Sequence, residues 1–341
     1  MRLRKVLPAA VLALACAAAV ACGKPAAAGG GGDAPAAAGS MSLTVGYTAI
    51  GAAYSDLYVC EDQGVFTKNG LDVKLTLLNS SSQLLAALAS NSVQIGAGVA
   101  ATTAAGALGG VDLRYLALPI SNFYVEMWGM GDITSPEQVK GKKIGLSSPG
   151  SLGDTAVDAW LKDQGWTDKD VQKTFLKSTP AEVTALQSGA VDVIVTQPPT
   201  GTTTRNFGAH KITDFTKYPA AANAYTATAS WTQANGPAVE AFVKSEVECL
   251  SMLHKDKATA IDSIRKHSGT DDPELADAAY TFFEPLWAKD PKVEPTLLAA
   301  AFAQAAAEKG TDAPADVTTY IDNGPLQSLR ADGYIDSLYK S

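Results

Sequence analysis

Leu43-Thr44-Val45-Gly46-Tyr47-Thr48 reads as a strand running into a small-residue loop, and roughly 100 residues later Lys143-Ile144-Gly145-Leu146-Ser147-Ser148 reads the same way. From the first stretch a helix closes at Glu61-Asp62-Gln63-Gly64-Val65-Phe66. A strand follows over Val73 to Leu77, then Ser80-Ser81-Ser82 and a helix holding Leu84, Leu85 and Leu88. The unit ends Ser90-Asn91-Ser92-Val93-Gln94-Ile95-Gly96. From the second stretch a helix closes at Lys162-Asp163-Gln164-Gly165-Trp166. A strand follows near Thr174 to Leu176, then Ser178-Thr179-Pro180 and a helix holding Val183 and Leu186. That unit ends Ser188-Gly189-Ala190-Val191-Asp192-Val193-Ile194-Val195. Each unit is strand–helix–strand–helix–strand, the alternation that builds a parallel sheet with helices on its faces. Finding it twice predicts an α/β chain with two lobes, each a doubly wound, mostly parallel sheet.

The rest of the chain arranges itself around this echo. Lobe I is expected over 43–119 plus 228–341, and lobe II over 122–222. Crossover hinges are expected at 116–130 and 214–231. The C-terminal part is helical in pattern, as in Ala238-Val239-x-x-Phe242-Val243 and Leu297-Leu298-x-x-Ala301-Phe302. Ligands of such sheets bind outside the carboxyl ends of the strands, where the next helices begin.

Composition narrows the function. The chain has 341 residues, 46% of them hydrophobic, enough to bury a core without staples. Its net charge is −8, and Arg2, Arg4 and Lys5 sit in the extreme N-terminus, so the remainder is more acidic still. No basic run marks a nucleic-acid partner. Three histidines and four cysteines are too few and too scattered for a zinc ribbon, so no metal and no cofactor is expected.

Residues 1–21 read as an export signal: a positive start, then an apolar run from Val6 to Val20 that is short for a membrane span. Ala19-Val20-Ala21-Cys22-Gly23 resembles a bacterial lipobox, with Ala19 where that motif more often has leucine. The resemblance implies cleavage before Cys22 and lipid on its thiol. Plain secretion, with Cys22 incidental, is the other reading. Residues 22–42 are rich in Ala and Gly and form a tether too poor in apolar surface to fold. The expected location is extracytoplasmic, anchored to the cell membrane by lipid.

Several pieces resemble a known family: Gly64-Val65-Phe66-x-x-x-Gly70-Leu71-Asp72-Val73, Ser82-Gln83-Leu84-Leu85-Ala86-Ala87-Leu88, Ile133-x-x-Pro136-Glu137-Gln138-Val139-Lys140-Gly141-Lys142-Lys143-Ile144-Gly145 and Gly189-Ala190-Val191-Asp192-Val193. They are similar to the substrate-binding proteins of ABC importers serving aliphatic sulfonates, taurine, nitrate and thiamine-precursor pyrimidines. The resemblance implies a type II periplasmic-binding-protein fold that closes on a small solute and docks, as a monomer, on a permease with its ATPase subunit. No chemistry is done on the solute, so the chain is not expected to be an enzyme. An exported enzyme of the same fold acting on a small heterocycle is the alternative. The yeast-type pyrimidine synthases that share the fold use a cysteine-rich motif, which is missing from this sequence, as are Walker and HExxH motifs and a Ser-His-Asp spacing.

The loops after the strands supply the candidate binding residues. In lobe I these are Tyr54, Ser80, Ser81, Ser82 and Gly98; in lobe II they are Ser147, Ser148, Ser151 and Gln197. Tyr124 and Tyr225 join them from the crossovers, where Phe123, Trp128 and Trp231 also lie. Ser147-Ser148-Pro149-Gly150-Ser151 is the strongest candidate, because hydroxyls and free N–H groups at a helix start accept an anion without a basic side chain. An ordinary turn is the bland reading. Ser151 with Asp154 fits a capping box, and Thr179 with Glu182 fits one with Pro180 at the first helical position. Ser81 is the lobe I counterpart of Thr179. Arg205 follows the Thr200 loop and is placed to reach inward, whereas Arg114 is expected to face solvent. Gln197 stands where the family often has an acid, which argues against a cationic solute. Cys60 and Cys249 sit in helical patterns, and a disulfide and buried thiols both remain open. His210, His254 and His267 are read as surface residues.

Overall fold

Short runs buried on both faces, joined by tight βα turns, produce two sheets with one plan. The structure is a computed structural model that describes residues 40–78, 80–268 and 272–340. The export signal, Cys22 and nearly all of the tether lie outside the described residues.

In chain order β1 (Met41–Tyr47), β2 (Leu71–Leu77), β3 (Ile95–Gly98) and β4 (Leu113–Asn122) belong to the first sheet. β5 (Glu126–Gly129), β6 (Lys143–Leu146), β7 (Gln172–Phe175), β8 (Val193–Thr196) and β9 (His210–Asp214) form the second. β10 (Pro219–Thr228) returns to the first. The orders are β2-β1-β3-β10-β4 and β7-β6-β8-β5-β9. In each, three parallel strands run in the order second, first, third, and the third pairs antiparallel with a strand adjoining a crossover. The echo in sequence is therefore an echo in topology, and the chain has the two-lobed periplasmic-binding-protein architecture.

Two glycines show why the repeat is so literal. A Cβ on Gly46 in β1 would meet Leu78 at 2.9 Å, and one on Gly145 in β6 would meet Leu176 at 3.0 Å. Each leucine follows the neighbouring parallel strand and folds over the sheet onto its glycine.

The crossovers are shorter than the 116–130 and 214–231 read from sequence. β4 stays in the first sheet to Asn122 and β5 enters the second at Glu126, while β9 ends at Asp214 and β10 begins at Pro219. The two crossing segments hold each other. Phe123 N–H donates to the Tyr218 carbonyl at 3.1 Å, and Phe215 N–H donates to the Val125 carbonyl at 3.1 Å. Apolar runs misled the sequence reading, because strands buried on both faces look like any other buried segment.

Helix Ser55–Asp62 follows the β1 loop and packs against helix Gly236–Lys255 of the C-terminal part. Cys60 and Cys249 join them in a disulfide, with Cα atoms 5.5 Å apart. Helix Pro295–Lys309 covers the other face of the first sheet, with Leu298 and Phe302 against Tyr115 and Leu118. The edge of β4 is capped by later chain: Leu118 N–H donates to the Pro291 carbonyl at 2.7 Å.

Candidate functional site

The carboxyl ends of β1, β3, β6 and β8 deliver their loops to one cleft. The loop after β1 and the loop after β8 approach each other across it: a Cβ on Gly51 would lie 3.5 Å from Nε2 of Gln197. Gln197 is half-buried and precedes a cis peptide bond between Pro198 and Pro199. Beside it, the buried hydroxyl of Thr196 has no protein partner. On the first-sheet side Tyr54 is 2% exposed, and its hydroxyl lies 2.8 Å from Oγ1 of Thr48. Burial pushes that phenol up to about 12, so it stays a neutral hydrogen-bonding group at physiological pH. Gly98 is buried, and a Cβ there would touch Leu84 at 3.2 Å and Thr48 at 3.6 Å. Tyr124 is 5% exposed and tilts against Phe283 at 5.5 Å between centroids.

On the second-sheet side the Ser147–Ser151 turn opens helix Leu152–Asp163. Ser151 is the N-cap, its Oγ accepting from Asp154 N–H at 3.3 Å, and Asp154 Oδ2 accepts from Gly150 N–H at 2.9 Å. Two of the free N–H groups expected for an anion are thus already held by this chain's own side chains. Ser148 is exposed and Ser147 half-buried. Gly150 adopts φ 68°, and a Cβ there would lie 2.7 Å from Oε2 of Glu308, which reaches over from helix Pro295–Lys309.

Several sequence-derived candidates sit elsewhere. Tyr225 is wholly enclosed on the helix side of the first sheet, where its hydroxyl donates to Asp56 at 2.6 Å. Register shifts in the pairing of β10 with β4 flank Tyr225 on both sides. Ser80, not Ser81, is the N-cap of helix Ser81–Ala89, accepting from Gln83 N–H at 3.2 Å. Ser178 likewise displaces Thr179 as N-cap of helix Thr179–Gln187, so both caps fall one residue earlier than the capping pattern suggests. Ser82 is exposed on its helix. Arg205 is exposed and lies over the Trp128 ring at 5.2 Å, committed to the second lobe's outside. Trp128 itself is core, donating from Nε1 to Glu126 at 3.0 Å. Trp231 lines a cavity of about 330 Å³ with Leu88 and Asn235, at the end of the first sheet away from the cleft. Arg114 is half-buried rather than solvent-facing, its guanidinium donating to the Leu113 carbonyl at 2.8 Å. His210 is exposed as read, but His254 bonds Glu284 at 3.0 Å and His267 stacks on Tyr58 at 4.4 Å, both half-buried.

Other buried or lobe-bridging residues are not among the site candidates read from the sequence. Asn223 in β10 is fully buried and donates to the Ala53 carbonyl at 3.0 Å, tying the returning strand to the β1 loop; its Oδ1 has no protein partner. Thr155 and Gln304 meet across the lobes, Nε2 to Oγ1 at 2.5 Å. Glu182, in the first turn of its helix, is 2% exposed, and burial alone lifts its carboxyl to about 8.

Comparison with known proteins gives the same architecture. A family model described as NMT1/THI5 like matches residues 52–256. The periplasmic aliphatic sulphonate binding protein SsuA from Escherichia coli superposes with a TM-score of 0.66 at 19% identity, covering 78% of this chain and 91% of that one. The alkanesulfonate-binding protein SsuA from Xanthomonas axonopodis pv. citri, bound to MOPS, gives 0.67 at 17% identity, covering 83% and 98%. A putative periplasmic sulfonate-binding protein from Methylobacillus flagellatus gives 0.69 at 14% identity, covering 87% and 96%. At these identities the likeness establishes the fold. A search of curated proteins returned no match.

Proposed function

The chain belongs to the NMT1/THI5-like family, and on that premise we propose that it is the extracytoplasmic solute-binding component of an ABC-type importer. It captures a small organic solute or anion, of sulfonate-, nitrate- or pyrimidine-precursor-like size, between its lobes. It then hands the solute unaltered to a permease driven by its ATPase subunit. The observation that carries this reading is the pairing of Gly51 with Gln197. Strand-end loops of the two sheets meet there, and short crossovers between β4 and β5 and between β9 and β10 join the sheets. Rigid lobes on a paired hinge close over a guest as hinged bodies do. The structural neighbours described as sulfonate-binding proteins support the solute class.

The proposed binding surface comprises Tyr54, Gly98, Tyr124, Ser147, Ser148 and Gln197, with Ser80, Ser81, Ser82 and Ser151 bordering it. We carry Tyr225 out of the site for the reason given above. Export is supported by the Cys60–Cys249 disulfide, a bond that persists in oxidising compartments. Lipid on Cys22 would hold this monomer at the membrane, since no helix among the described residues is long and apolar enough to cross one.

Mass spectrometry of solute released from gently purified protein, followed by incubation with that solute, tests the reading. Recovery of the same molecule unaltered is expected. Recovery of a transformed molecule would favour the enzyme alternative and end this one.

A further inference from the structure

Behind the β1 loop two acidic side chains are buried together. Asp56 lies in the first turn of helix Ser55–Asp62, and Glu246 faces it from helix Gly236–Lys255; both are wholly shielded from solvent. The Tyr225 hydroxyl, from β10, donates to Oδ2 of Asp56, while Oδ1 of Asp56 and both oxygens of Glu246 are buried without a donor. Tyr54 and Tyr124 stand on the cleft side, near enough for the Asp56 charge to act on both hydroxyls. The cations of the elements packed around the two helices are engaged elsewhere: Lys266 and His267 with Asp62, Lys68 and Lys244 with Glu248, Lys257 with Asp277 and His254 with Glu284. Like charges side by side in a medium of low polarity cannot both persist, so the pair keeps one proton while the helices stay as they are.

Two features carry any movement of Asp56 to the solute site. The Ala52–Tyr54 turn runs into helix Ser55–Asp62 with no loop between, and Ser55 Oγ donates back to the Ala52 carbonyl at 2.8 Å. One helical turn beyond the carboxyls, the Cys60–Cys249 disulfide ties the same two helices together. The helix is thus pinned at its Cys60 end. Repulsion at Asp56 is relieved at the opposite end, where Gly51 and Tyr54 stand at the cleft.

We propose that Asp56 and Glu246 form a proton-dependent latch on the solute site: with one proton shared between them the Gly51–Tyr54 turn holds its place, and when that proton passes to solvent the two carboxylates push the turn out of it. The latch rests on the solute-capture reading and adds regulation to it. Its sign follows from linkage. The protonated pair binds solute more tightly, so affinity falls as pH rises, and capture takes up protons. An anionic solute strengthens the effect, because its charge also disfavours ionisation of Asp56.

Hydrogen–deuterium exchange of the full chain, read as protection relative to an unstructured peptide, follows the turn with no solute present. From about pH 5 to pH 9, protection of the amides of residues 49–54 is expected to fall at least about fivefold in the wild type. It should stay within about twofold in Glu246→Gln and in Asp56→Asn, each of which removes one of the two charges. A flat wild-type profile, or a fall that survives both substitutions, overturns the latch. Calorimetric titration with ethanesulfonate in two buffers of different ionisation heat then reads the coupling. Proton uptake on binding, with affinity falling roughly five- to tenfold over the same range, is expected in the wild type and lost in Glu246→Gln. Ethanesulfonate binding that releases protons, or that ignores pH, overturns the latch and leaves the capture reading standing. If ethanesulfonate does not bind, the proposed solute class falls instead, and the exchange profiles still decide the latch.

Discussion

The Tyr225 hydroxyl donates to Oδ2 of Asp56 at 2.6 Å in the sealed interior of the first lobe, and Glu246 completes a cluster with no cation among its described neighbours. Burial is the largest influence on both carboxyls and raises both, Glu246 well above the ordinary range; each also sees the other's negative charge or its hydrogen bond. Two buried carboxylates and one hydroxyl cannot all be satisfied as acceptors. A proton on Glu246 supplies the missing donor toward Asp56 and accounts for the otherwise unpartnered Oδ1 of Asp56.

The cluster predicts a pH dependence with a definite sign. In the unfolded chain Glu246 loses its proton near 4.5, whereas in the fold it keeps it to much higher pH. The native state therefore binds more protons over that interval, and stability falls as pH rises above 4.5. Glu246→Gln keeps an N–H donor and removes the titration. Its melting temperature should fall less between pH 5 and pH 8 than that of the wild type. Parallel curves for the two proteins would refute the shared proton.

Glu182 makes a separate, smaller test. Its carboxyl sits at about 8 through burial alone, so between 4.5 and 8 it too costs stability as pH rises, up to about 1.4 kcal/mol per pH unit while the two states differ by a full proton. Glu182→Gln should flatten denaturant-derived stability across that interval and change little below pH 4. An unaltered slope would mean that Glu182 ionises in the fold as it does in water.

The disulfide joins residues 189 apart in sequence. In the chain-entropy account a loop this long loses roughly 5 kcal/mol of unfolded-state freedom, and measured bridges usually give about 2–4 kcal/mol. Cys60→Ala with Cys249→Ala should lower stability by an amount in that range, and reductant should do the same to the wild type. Calorimetry showing identical melting with and without reductant would exclude a role for the bridge.

Much of the fold was legible because it is local and repeated. Gly46 and Gly145, the Asp-Gln-Gly turns and the serine-led helix starts all recur, and each acts within a few residues of its position. The site was less legible, since its decisive contacts are distant in sequence. Nothing about Gln304 or Glu308 in an alanine-rich helix signals that they reach Thr155 and Gly150 across the cleft. Tyr225 misled because its partner Asp56 lies 169 residues away in sequence, and nothing in a run such as Ala224-Tyr225-Thr226 marks that contact. Ser80 and Ser178 were missed as caps by one position because serines and threonines stand in tandem there, and the pattern alone does not choose among them.

The serine turn separates capping from binding. Ser151 caps helix Leu152–Asp163, so Ser151→Ala should cost about 1 kcal/mol of stability with or without solute. Ser148 is exposed and caps nothing, so Ser148→Ala should leave the unliganded melting temperature nearly unchanged and weaken solute binding severalfold. Equal effects of Ser148→Ala on melting with and without solute would remove Ser148 from the site.

Closure itself depends on how small residue 51 is. With no side chain there, the β1 loop comes within ordinary contact distance of Gln197; a Cβ alone would fit at 3.5 Å, but an indole would not. Gly51→Trp should therefore wedge the lobes apart without disturbing either sheet, because the loop lies outside both. Small-angle scattering should show a larger radius of gyration for the variant, unchanged by solute, whereas the wild type contracts when solute is added. Binding should weaken by more than about tenfold, since the guest then meets one wall of its site instead of two. If Gly51→Trp contracts with solute as the wild type does, the Gly51–Gln197 approach is not where the lobes meet, and the capture mechanism proposed for this cleft is wrong.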